Sequence, residues 1–338
     1  MRYTIWNNKG GTGKTSLSFQ TITTYASSHP NERVLAIDLC PQANLSELLL
    51  GGLLGNGGGN LNTLYNRPTR QSIGGYFQAR IPSPFAAPAI ASVDYLSTPN
   101  IFNQHVPANI DLLAGDRLLE IQSNAITTLA NTQLPGVNAR LAIFDWINDF
   151  IATTGNTYDV IFIDTNPSFS IHTQIALASS ERLILPIMAD DSSRRAIANV
   201  FTLIYGLNVP NAIYNDYLYS TTLQNAGRQL PLVHLIVRNR MTQYMGEASA
   251  YGAVLNHISQ DIQNLIGTHP QFFTFNNVNQ NVLSVTDFGT TGVVAFAEGT
   301  PFNRLRTGLH NINGRNTRVN ANMLRDCVNE IDQVVGLL

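Results

Sequence analysis

Lysine is almost missing from this 338-residue chain: of twenty basic residues, eighteen are arginine and two are lysine. Cysteine is nearly as scarce. Cys40 and Cys327 are too few for a disulfide framework, and no C-x-x-C exists to hold a cluster or zinc. The seven histidines form no H-E-x-x-H or paired metal spacing. No apolar run approaches the ~20 residues of a membrane span. Charge is thin as well, 12% of residues with a net of −2, so any nucleic-acid site must be a local patch. The opening residues, MRYTIWNN, lack an apolar h-region and a cleavage site, so a cytoplasmic rather than secreted protein is expected. What is present is a hydrophobic fraction of 44%, which excludes wholesale disorder.

The two lysines, Lys9 and Lys14, fall within one six-residue stretch. Lysine is a compact ammonium on a flexible stem, arginine a planar fork. Keeping lysine only here points to a pocket the fork does not fit. Residues 2–6 read as a short strand, followed by Asn7-Asn8-Lys9-Gly10-Gly11-Thr12-Gly13-Lys14-Thr15-Ser16 and a helix over about 13–27. Strand, glycine loop, helix is the context of a phosphate cradle. The glycines let backbone N–H groups turn onto phosphate oxygens, and the helix N-terminus adds partial positive charge. Lys14 can reach β/γ-phosphates and the Thr15 hydroxyl can ligate Mg²⁺.

The generic P-loop has Gly where this chain has Asn8, and Lys9 precedes the glycines instead. With this deviant Walker A box the sequence resembles the ParA/MinD family of partition and positioning ATPases. The resemblance implies ATP and Mg²⁺ as ligands, bound by residues Lys9, Gly10, Gly11, Thr12, Gly13, Lys14, Thr15 and Ser16. It also implies that Lys9 crosses a dimer interface to the partner's ATP. A second block, from Arg33 to Ser46, ends an apolar run in Asp38 and matches the family's D-x-D-P-Q at Asp38, Pro41 and Gln42. Its second acid, usually credited with orienting the attacking water, is Cys40 here, which leaves Asp38 as the catalytic candidate and predicts slow hydrolysis. A third block, Tyr158 to Ser168, ends in Asp164, the Walker B acid that would hold a Mg²⁺ water. Asp38, Asp164 and Thr15 make up the expected metal site. Asn239, ending an apolar run from Leu232, is the candidate for the adenine ring. The stretch 297–302 resembles the family's late loop over the base.

Strands near 2–6, 34–38, 109–113, 159–164, 182–187 and 232–237 alternate with helical segments. They predict an α/β fold of P-loop NTPase type, a doubly wound, mostly parallel sheet flanked by helices. One domain over 1–338 is expected, with an irregular Gly- and Pro-containing excursion at about 51–105, read as a flexible surface loop, and a C-terminal helix at about 317–338. Cysteines for a cluster and a tyrosine-rich tail are missing, which argues against an iron protein, an iron–sulfur carrier and a tyrosine kinase. The amphipathic tail is net acidic and reads as core packing, so membrane attachment of MinD type is the less favoured alternative. The leading expectation is a nucleoid-associated partition ATPase: an ATP-bound homodimer on non-specific DNA, released when a ParB-like or other adaptor triggers hydrolysis. Arg304, Arg306, Arg315 and Arg318 are the first candidates for DNA, in a segment to Arg325 that holds five arginines and no acid. Arg194, Arg195, Arg238 and Arg240 are further ones. A dethiobiotin-synthetase-like ligase is the alternative from another class, and it would need a small-molecule pocket that the sequence does not reveal.

Overall fold

Apolar runs with no polar alternation are what a strand covered on both faces requires, and here they form the middle of a seven-stranded sheet. The computed structural model describes residues 1–86, 89–188, 190–241 and 250–338. The strands are β1 (Arg2–Ile5), β2 (Val34–Leu39), β3 (Ile110–Leu113), β4 (Val160–Thr165), β5 (Arg182–Ile187), β6 (Leu232–Met241) and β7 (Val282–Thr286). They lie in the order β3-β2-β4-β1-β5-β6-β7, and every neighbouring pair is parallel. All six residues of β2 and of β4 are buried. The strand β7 was not anticipated: it is five residues long, lies at an edge and exposes Ser284, so its pattern is weak.

Each sheet face carries its own core. On one side Leu17, Phe19 and Ile22 of the Lys14–Ser28 helix meet Leu324, Ile331 and Val334 of the Ala321–Val335 helix. On the other, Tyr76, Phe77, Phe144, Trp146 and Phe150 pack with Ile175 and Ile197.

The 51–105 excursion differs from a flexible surface loop. It holds helices Gly57–Tyr65 and Ile73–Arg80, and Leu61 and Leu64 enter one core while Ile73, Tyr76 and Phe77 enter the other. Glycine is a poor helix former, yet the run at 57–59 starts a helix because close approach overrides propensity. A Cβ on Gly57 would stand 2.2 Å from the Glu47 carbonyl oxygen. The C-terminal helix begins at Ala321, not 317, because Gly308–Ile312 and Arg315–Val319 form an antiparallel hairpin, β8 and β9, turned at Asn313-Gly314. Both turn residues have positive φ, the conformation an Asn-Gly hairpin turn needs. Asn320 then caps the helix, accepting from the backbone N–H of Asn322.

Candidate nucleotide and metal site

The loop between β1 and the Lys14–Ser28 helix is fastened to both neighbouring strands on one side. The Asn7 amide donates to the Pro186 carbonyl of β5 at 2.6 Å, and the Asn239 amide of β6 donates to the Thr12 carbonyl at 2.8 Å. Gly11 and Gly13 take φ of +74° and +75°, which side chains rarely adopt. Lys14 is buried inside the loop, its ammonium donating to the carbonyls of Asn7 at 3.3 Å and Lys9 at 3.2 Å. Burial lowers its pKa, with the Asp164 charge opposing. The buried Thr12 hydroxyl has no hydrogen-bond partner among the described residues. A glycine loop ahead of a helix, with a buried ammonium and an unpaired hydroxyl, suits an anion.

The two expected acids stand side by side. Asp38 and Asp164 are register partners in the β2–β4 pair and both are fully buried, on strands about 4.8 Å apart. Asp164 accepts from the Ser18 hydroxyl at 2.6 Å and the Thr15 hydroxyl at 3.1 Å. Asp38 accepts from the Cys40 N–H at 3.1 Å, the Ser46 N–H at 2.9 Å and the Ser46 hydroxyl at 2.7 Å. Burial pushes both carboxyls up, and the Asp38 charge raises Asp164 further. Two adjacent carboxyls that resist ionisation together, next to a threonine hydroxyl, form a hard-oxygen donor set that fits Mg²⁺. Ser18 and Ser46, which hold the two acids, were missed as site residues, since isolated serines carry no periodic signal. Cys40 is half-buried and its thiol is pushed up to about 12 by burial and the Asp38 charge.

Lys9 is placed differently. Its ammonium pairs with Asp190 and lies 3.4 Å from the Ser193 hydroxyl. Asp190 caps the Asp191–Tyr205 helix, accepting from the Ser193 N–H at 2.8 Å. Burial opposes its ionisation, but hydrogen bonds from Lys9, Ser193 and Ser192 prevail and hold it at about 2.

Two clefts meet at the loop. One, of about 370 Å³, runs between residues 11–16, the 40–44 turn and residues 165–167, with Glu120 at its margin. The other, of about 610 Å³, has Gly13, Ser16 and Asn239 on one side and Asp287 to Phe296 on the other. Asn239 thus borders the cleft expected of a base contact. The 297–302 stretch does not line it. Phe302 is buried against Phe288 instead, at 4.8 Å between rings, and its N–H donates to Gln20.

A family model described as an AAA domain (AAA_31), of ParA/MinD type, matches residues 2–210. The chain belongs to this ParA-like family. No curated protein sequence matches it. Among solved structures, apo McdA from Cyanothece is similar with a TM-score of 0.62 at 12% identity, covering 99% of both chains. The ATP complex of a Cyanothece McdA variant scores 0.63 at 14% identity, over 99% of this chain and 96% of that one. A plasmid partition protein of Borrelia burgdorferi bound to AMPPNP scores 0.55 at 15% identity, over 99% and 96%. At such identities the likeness is one of fold, and the ParA-like sheet is the fold of this chain.

The arginine candidates separate into groups. Arg304 and Arg306 lead into the β8–β9 hairpin and Arg315 and Arg318 lie on β9, all four exposed. The hairpin is fastened to the wall of the 610 Å³ cleft. Thr290, which lines that cleft, donates its hydroxyl to the Arg318 carbonyl at 3.1 Å, and His310 bonds Glu298 at 2.6 Å. Arg194 is elsewhere, paired with Asp261 at 2.7 Å. Arg238 is half-buried, and the Arg240 side chain lies outside the described residues. No helix among the described residues is long and apolar enough to cross a membrane.

Proposed function

We propose that this ParA-like protein is an ATP-switched partition or positioning ATPase. ATP is its substrate, and its ATP-bound form is a homodimer that holds DNA without sequence preference until an adaptor of ParB type provokes hydrolysis. The observation that carries the reading is the Lys14 cradle joined through the Thr15 hydroxyl to the buried Asp38–Asp164 pair. In it the triphosphate lies along the 11–16 loop, with Lys14 on the β/γ-oxygens and the base in the cleft bordered by Asn239. Thr15, which lines the cleft of about 370 Å³, would hold Mg²⁺ there, with Asp164 behind it on the Thr15 hydroxyl and Asp38 beside Asp164, and the ion would supply charge neutralisation at the phosphates. Lys9 is held by Asp190 and Ser193, and leaving them would free it toward a second subunit. The DNA surface is the basic hairpin, and its tie through Thr290 to the base cleft supports control of DNA binding by nucleotide.

Sizing the protein with ATP, ADP and no nucleotide, in parallel with mobility shifts on random duplex, tests this reading. A dimer and a shift with ATP alone are expected. Equal DNA binding in all three states, insensitive to salt, refutes it, because backbone binding releases counter-ions and must weaken with salt.

A further inference from the structure

We infer that Glu120 is the catalytic carboxylate that accepts the attacking water's proton, in the place of the family acid that Cys40 replaces. This rests on the ATPase reading above.

A thiol is a weak hydrogen-bond acceptor, and Cys40 is half-buried. Asp38 is fully buried, with one oxygen engaged by the Cys40 N–H and the other by two groups of Ser46. Asp164 is fully buried and held by Thr15 and Ser18. Neither acid lines the cleft of about 370 Å³ itself; both lie behind the Thr15 side of it. The Asn166 side-chain amide oxygen accepts from the hydroxyls of Ser168 and Thr173. Among the described residues lining that cleft, Glu120 supplies the one carboxylate, and it is exposed.

Its placement is built in. Glu120 lies in the first turn of the Leu118–Ala130 helix. That turn is fixed by Asp116, fully buried, which accepts from Arg70 at 2.5 and 2.8 Å, from the Ser72 hydroxyl at 2.5 Å and from the Leu118 N–H at 2.9 Å. One residue earlier, the Gly115 N–H donates at 2.8 Å to the Ser46 hydroxyl that holds Asp38. A side chain there would drive into Asp38 at 2.8 Å and Ala43 at 2.9 Å. The loop presenting Glu120 and the strand end presenting Asp38 are therefore one hydrogen-bonded unit, and Gln42 reaches Glu120 at 3.4 Å across the mouth of the cleft.

The step balances without further reagents. The water oxygen bonds to the γ-phosphorus as the bond from that phosphorus to the bridging oxygen breaks. ADP leaves with that electron pair, and the water's proton passes to the Glu120 carboxylate and on to the released phosphate.

The test uses the full chain with Mg²⁺ and ATP, reading turnover, ATP affinity by calorimetry, and the nucleotide recovered from the protein after gel filtration. Glu120→Gln is expected to bind ATP within about twofold of wild type and to lose at least about tenfold in turnover, with intact ATP recovered from the protein. Cys40→Asp in that background is expected to return at least about tenfold. Turnover within about twofold of wild type overturns the inference, as does a matching loss of ATP binding or no recovery with Cys40→Asp. A wild-type chain that neither binds nor hydrolyses ATP overturns the ATPase reading instead.

Discussion

Replacing His172 should make the protein more resistant to acid. His172 lies in the first turn of the Ile171–Ala178 helix, just past the Asp164 loop, and stacks on Phe77 of the excursion at 5.9 Å. It is 2% exposed, its Nε2 has no partner among the described residues, and burial pushes it down to about 4. The unfolded chain takes up this proton near pH 6.5 and the native one only near pH 4, so stability is complete above 6.5 and falls as pH drops between the two. The full difference corresponds to about 3 kcal/mol, of which about 2 kcal/mol is gone by pH 5. Asp38 and Asp164 act in the opposite sense, since their raised folded values gain stability as pH falls. The difference between wild type and His172→Phe cancels that contribution. Urea unfolding at pH 7 and pH 5 should show wild type losing about 2 kcal/mol more than the variant over this interval. Equal losses in the two proteins would refute a buried neutral imidazole.

Lys14→Ala removes the buried ammonium and should weaken ATP binding by at least about tenfold, the scale of one lost charge-assisted bond, read by calorimetry. Lys9→Ala should bind ATP as wild type does yet stay monomeric with a slowly hydrolysed analogue, whereas Asp190→Asn, which frees Lys9, should dimerise at several-fold lower protein concentration; sizing chromatography distinguishes the two. Neutralising Arg304, Arg306, Arg315 and Arg318 together should reduce DNA binding for all sequences alike and flatten its dependence on log salt by up to about 3.6, with unchanged mobility shifts excluding the hairpin.

The fold was readable because its main signal is local. Strand, glycine loop and helix stand in order within the first 28 residues, and β2 and β4 announce themselves as apolar runs ending in an acid. Partnerships across the chain leave no such trace. Nothing about Asp190 marks it as the partner of Lys9, 181 residues away, and Ser46 looks like any helix-start serine until Asp38 is seen beside it. Glu120 reads as an ordinary first-turn acid. The Asn313-Gly314 turn was in plain view as a hairpin signal, but its flanking strands carry Asn, His and Arg instead of alternating apolar residues. The helices of the excursion were hidden by their glycines, whose role is close backbone contact that composition cannot report.

The near absence of lysine makes the glycine loop after β1 chemically addressable in the unmodified protein. Apart from the N-terminal amine, every amine of the chain lies at Lys9 or Lys14, the first with a side chain 21% exposed and the second 7% exposed as a residue. An acylating reagent should therefore mark Lys9 before Lys14, and a lysine-specific protease has two bonds to cut, one in the loop and one at the start of the helix that follows it. Protection of those bonds would report occupancy of the cradle by an unlabelled ligand, and the pace of labelling at Lys9 would report how often it leaves Asp190. Few proteins allow a single loop to be followed by reagents aimed at a whole residue type.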